Sequence, residues 1–127
     1  MNTAFAALAL AALLWTNTSQ AGQPNPPPPQ VMEGKLVDLV CHAMDMGGPK
    51  HAKCSTHCAE KGQPVGFVDA KTGKLYTVLL PSPGLAKYLD QEARLTAKVL
   101  KENFVAPDKL EMKSGETWTA VDLPKAM

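Results

Sequence analysis

Apolar and polar side chains alternate most cleanly near residue 95. Ala93, Leu95, Ala97 and Val99 take one side of the chain; Arg94, Thr96 and Lys98 take the other. A period of two gives a strand with one face in a core. Earlier, Leu36, Val37, Leu39 and Val40 surround the single charge of Asp38 and lead into Cys41. That pattern predicts a mostly buried strand over 31–41, ending at the cysteine. Val65 to Asp69 and Lys74 to Leu80 flank the turn Ala70-Lys71-Thr72-Gly73 and predict a hairpin. Pro107-Asp108 predicts a turn before two short terminal strands, 109–113 and 116–123. The expected core joins Ala93, Leu95, Ala97 and Val99 to Leu39, Val78 and Leu89.

Two segments have helical character. Gly47-Gly48-Pro49 breaks the chain, and a helix can begin near Pro49 because proline is tolerated in a first turn. It runs through Glu60 or Lys61 and stops at Gly62. Leu85 to Asp90 predicts a second helix of one or two turns, with Leu85, Tyr88 and Leu89 on one face. The order is then strand, helical insertion, hairpin, short helix, long strand and terminal strand or hairpin. It predicts a mainly β fold, a five-stranded antiparallel barrel of the oligonucleotide/oligosaccharide-binding (OB) type, with a cysteine-bearing helix after strand 1.

The N-terminal third of the pattern is different. Residues 1–21 hold no charged side chain, and Ala4 to Trp15 is an apolar run of about a dozen residues, too short to cross a bilayer comfortably. Ser19-Gln20-Ala21 offers small residues for cleavage after Ala21, so 1–21 is expected to be a signal peptide. The segment lacks Lys and Arg ahead of the apolar run, which leaves an uncleaved anchor as the alternative. Residues 22–30, GQPNPPPPQ, predict an extended polyproline spacer. The folded domain is expected over 31–127, periplasmic or secreted, with no stable membrane span after cleavage.

Composition narrows the function. The net charge of +1 and the 6% aromatic content argue against a nucleic-acid partner. Asp38, Asp45 and Asp69 have no recognisable partner spacing, and no phosphate loop or nucleophile elbow is present in the sequence. The expectation is a protein that is not an enzyme.

The remaining chemistry is concentrated between Cys41 and Cys58, which hold all 3 cysteines and all 3 histidines of the chain. At about 100° per residue, His51, Cys54 and Cys58 share one helix face, and His57 falls at the edge of the polar arc. Two thiolates one turn apart can meet one soft ion, and imidazole suits the same metals. Cys54, Cys58 and His51 are therefore the candidate ligands, with Cys41, Met44 or Met46 completing the set. Thioethers favour copper as Cu(I); zinc comes second, with Cys41, Cys54, Cys58 and His51 as a closed tetrahedral set. The alternative is structural. In an oxidising compartment two of Cys41, Cys54 and Cys58 can pair, worth roughly 3 kcal/mol for a loop of this size, leaving one odd thiol. The downstream His or Met of dinuclear copper sites, C-x-x-C and C-x-x-C-H are all missing.

Cys41, the run His51-Ala52-Lys53-Cys54-Ser55-Thr56-His57-Cys58, Gly62 to Phe67 and Lys74 to Tyr76 together resemble small secreted bacterial OB-like proteins. The resemblance covers about Gly34 to Leu123 and implies the fold and export, but no activity. Two functions are expected from these readings. One is an exported soft-metal-binding protein. The other is a disulfide-stapled, non-catalytic module whose barrel surface takes another exported protein or a small ligand.

Overall fold

A computed structural model describes residues 24–126; the expected signal peptide and the first residues of the spacer lie outside them. Six strands are present: β1 (Gln30–Asp38), β2 (Val65–Asp69), β3 (Leu75–Val78), β4 (Glu92–Val99), β5 (Phe104–Ser114) and β6 (Thr117–Val121). Two helices, α1 (Leu39–Ala43) and α2 (Ala52–Glu60), are inserted between β1 and β2. The hydrogen-bonded order is β3-β2-β1-β4-β5-β6, and β3 also pairs with the start of β5. That last pairing is parallel, Thr77 with Phe104 and Val78 with Val105, and it closes the first five strands into a ring. The expected OB-like barrel is therefore present. β6 adds a sixth strand outside the ring, paired with the far half of β5 through the turn at Gly115 (φ +61°).

The alternation at residues 93–99 does what its period requires. Ala93, Leu95 and Ala97 are fully buried and join Leu36, Phe67, Val78, Leu89 and Leu110 in one core, with Val99 packed against it. Leu39 departs from the expectation. It belongs to α1, is half-buried, and lies outside that core cluster. It leans instead over β2 at Gly66, where a Cβ would meet Leu39 Cδ2 at 2.5 Å. The absent side chain of Gly66 is thus what lets α1 sit down on the sheet.

Four departures from the sequence reading have a local reason. β1 ends at Asp38, not Cys41, because the Asp38 carboxylate caps a helix there. α2 starts at Ala52 rather than near Pro49, since Gly48 takes φ +92° and His51 is not helical. The segment before β4 forms two short 3-10 turns, Ser82–Gly84 and Ala86–Tyr88, instead of one helix. Pro107-Asp108 is no turn: β5 runs straight through it. The β4–β5 register slips between Thr96 and Ala97, and this bulge accommodates a proline without an amide hydrogen.

One polar contact ties β4 to β5 across the ladder. Arg94 is paired in register with Glu111 and donates to it twice, at 3.0 Å from Nε and 3.0 Å from Nη2. Lys109 Nζ adds a third contact at 3.0 Å. The Arg94 guanidinium also covers the ring of Trp118 on β6, 4.8 Å from its centroid. Arg94 first and Lys109 second hold the Glu111 carboxyl down to about 2, from an ordinary 4.5.

Two predictions follow from this frame. Leu95→Asp buries an unpaired charge at a side chain that is 1% exposed and is expected to abolish cooperative unfolding, whereas Leu95→Ala costs about 2–5 kcal/mol. Thermal melts of the two variants check both. Glu111 titrates lower in the folded chain than in the unfolded one. Its contribution is present above pH 4.5 and lost as pH falls through about 2. Chemical denaturation across that window should show a shallower acid loss in Glu111→Gln than in the parent protein.

Candidate metal centre

The site begins where β1 stops. Asp38 is the N-cap of α1: its Oδ1 accepts the backbone N–H of Cys41 at 2.7 Å. This bond turns the chain off the sheet and puts the Cys41 side chain in the first turn, back toward the cap. The Leu39 N–H donates to the Pro64 carbonyl at 3.0 Å, which ties the start of α1 to the segment after α2. Gly62 (φ +94°) ends α2, and Gln63 N–H returns to the Cys58 carbonyl at 3.0 Å. Between the helices, Met46 N–H donates to the Cys41 carbonyl at 2.8 Å and folds the loop back on α1.

These constraints bring three cysteines together. The sulfurs of Cys41, Cys54 and Cys58 all lie within 4.8 Å of one another, so the three can hold a metal ion. Three sulfurs about 2.3 Å from a shared ion stand roughly 4 Å apart if planar and slightly less if tetrahedral. The cluster therefore needs a contraction of about 1 Å or less to close on one ion. All three are free cysteines in this structure, and they are graded in depth: Cys41 is buried, Cys58 half-buried and Cys54 exposed. An ion can reach the site from the Cys54 side.

The surroundings oppose ionisation of the deeper thiols. Burial first, then the neighbouring Asp38, pushes Cys41 up to about 11, while the Ser55 hydroxyl beside it acts in the opposite direction. Burial, then the adjacent Cys54, also raises Cys58. Both shifts keep protons on the sulfurs until an ion displaces them.

The other expected ligands sit at helix ends and in the loop between the helices. His51 is the half-buried N-cap residue of α2, with a non-helical backbone (φ −114°, ψ 5°), and is not part of the three-sulfur group. Met44 caps the C-terminus of α1 and is 56% exposed. Met46 is half-buried, and His57 is exposed. The residues that the sequence reading missed are Asp38 and Ser55. Both are 1% exposed and border Cys41. The signal for Asp38 was the spacing Asp-x-x-Cys, a cap residue three positions before the side chain that reaches back to it.

A groove of about 530 Å³ is lined by Lys35 and Val37 of β1, His42 of α1, Glu92, Lys113 and Trp118. No protein-family model, no curated protein and no solved structure matches the chain.

The depth gradient has a direct readout. In the reduced, folded protein, alkylation is expected at Cys54 first, Cys58 next and Cys41 at least about tenfold more slowly, because only exposed thiolate reacts. Site-resolved mass spectrometry measures the order; labelling of Cys41 as fast as Cys54 contradicts it.

Proposed function

We propose that this chain is an exported metal-binding protein that holds one thiophilic ion between α1 and α2 through Cys41, Cys54 and Cys58. The observation that carries the reading is the mutual approach of three sulfurs from two helices to within 4.8 Å. Sulfur ligands select soft and borderline ions, Cu(I) and Zn(II) foremost. Three thiolates satisfy Cu(I) by themselves; of the two loop thioethers, Met46 is half-buried and Met44 exposed. Zn(II) asks for a fourth donor. Export is supported by the apolar run Ala4 to Trp15 and the small residues Ser19 and Ala21.

The depth gradient suits uptake and handover. Cys54 meets the ion first at the surface, and Cys58 and Cys41 then draw it inward as their protons leave. Release runs in the opposite order, by ligand exchange at Cys54. The role proposed is binding and handover of the ion, without a reaction on a substrate. The second reading, a non-catalytic module for a small ligand or protein, is favoured by the groove beside Trp118. In that reading two of the three cysteines are bridged.

Metal titration of the reduced full chain separates the two. One equivalent of Cu(I) or Zn(II) per chain is expected, with proton release and affinity that rises with pH, because the thiols must ionise to bind. Cys41→Ser, Cys54→Ser and Cys58→Ser are each expected to weaken binding by at least about a hundredfold. Retention of full affinity in any of the three removes that residue from the site. A protein from the oxidising compartment with one free thiol and one bridge, unable to bind until reduced, supports the second reading.

A further inference from the structure

We propose that Asp38 is the fourth ligand of this site, so that the bound ion has three sulfurs and one carboxylate oxygen and is Zn(II). The inference rests on the three-thiolate reading and adds to it the donor that decides between the two metals.

Asp38 is 1% exposed. Its Oδ1 is occupied by the Cys41 N–H at 2.7 Å. Its Oδ2 is buried and has no hydrogen-bond partner. Among the described residues, no Lys, Arg or His forms an ion pair with it. A buried carboxylate oxygen without a donor is costly and calls for an explanation; Ser55 Oγ and Asp90 Oδ2 are the other buried side-chain oxygens without a partner among the described residues. A helix cap needs one oxygen only, so capping explains Oδ1 and leaves Oδ2 with no partner but the weak donor of the Cys41 thiol beside the carboxylate.

The carboxylate neighbours the site: its Oδ1 holds the amide of Cys41, one of the three thiol residues. Asp38 borders the Cys41 thiol, and its charge acts on both Cys41 and Cys58, which belong to different helices. Cap geometry requires this placement, because the side chain three residues into a helix folds back toward its cap residue. Asp38 lies outside the mutual 4.8 Å of the three sulfurs, so loading must draw carboxylate and sulfurs together. The bond from Cys41 N–H to Oδ1 then acts as an outer support that orients the carboxylate and leaves Oδ2 available to the ion.

The donor set selects the ion. Carboxylate oxygen at about 2.0–2.2 Å is an ordinary zinc ligand, and three thiolates with one oxygen make a closed tetrahedron. Cu(I) is soft and gains little from a carboxylate. The charge is also reasonable: three thiolates, one carboxylate and a divalent ion total −2, the same as the common four-cysteine zinc site.

The test uses the reduced full chain, wild type and Asp38→Asn, with Zn(II), Co(II) and Cu(I) as probes. Asparagine is as good a cap as aspartate, so the helix start is retained. Asp38→Ser, another strong cap, replaces it if the Asn variant does not fold. The expected result is a loss of Zn(II) affinity of about 10–100-fold or more, with Cu(I) affinity changed less than about threefold. Co(II) should keep its near-ultraviolet thiolate charge transfer while its visible ligand-field bands shift. Unchanged Zn(II) affinity and an unchanged Co(II) spectrum would make Asp38 a helix cap only. Equal losses for Zn(II) and Cu(I) would assign it a merely structural role and also overturn the inference. Absence of thiolate charge transfer in the wild type would overturn the three-thiolate site itself, and Asp38 as a ligand with it.

Discussion

The hydrogen bond from the Cys41 amide to the Asp38 carboxylate is the hinge of the molecule. Up to Asp38 the chain is a ladder strand, paired with β2 on one side and β4 on the other. At Asp38 that ladder stops and a helix begins, because the carboxylate offers an acceptor to an amide that would otherwise be orphaned. Without the turn, Cys41 would continue along the sheet and its sulfur would point away from α2. With it, Cys41 faces Cys54 and Cys58, and the insertion between β1 and β2 becomes a small helical cover on one end of the barrel.

The barrel supplies the rigidity that this cover needs. Parallel pairing of β3 with β5 closes the ring, and the β5 bulge lets one long strand bend from that pairing to the β4 ladder. α2 buries Ala59 in the core and Ser55 beside Cys41, so one helix face serves both packing and site. Gly66 leaves room for Leu39 and seats α1. Displacing either helix by the length of a methyl group would widen a sulfur spacing that must instead contract by about 1 Å or less to close on one ion.

Much of the frame was legible in the sequence. The period of two at Ala93–Val99 located a core strand, and the turn at Gly73 located a hairpin, because both signals are local. The end of β1 was not legible from hydrophobicity. Leu39, Val40 and Cys41 continue an apolar run, and only the capping power of Asp38 stops the strand. Pro107 misled for a related reason: a proline reads as a turn unless a partner strand bulges opposite it, and that depends on register. At the site, Cys54 and Cys58 followed from helical spacing alone. His51 was placed on the same face by a helix expected to begin near Pro49, ahead of its start at Ala52. Cys41 was named as an alternative to Met44 or Met46 for completing the set, and its approach to the other two sulfurs depends on a tertiary contact, from Leu39 to Pro64, that no local pattern encodes.

The central claim is that one ion binds to sulfurs from both helices. X-ray absorption at the metal edge of the loaded protein reads the first coordination shell directly. The account predicts three sulfur scatterers at about 2.3 Å and one lighter neighbour near 2.0–2.2 Å. Two sulfurs or fewer, or a shell of nitrogen and oxygen alone, would contradict it.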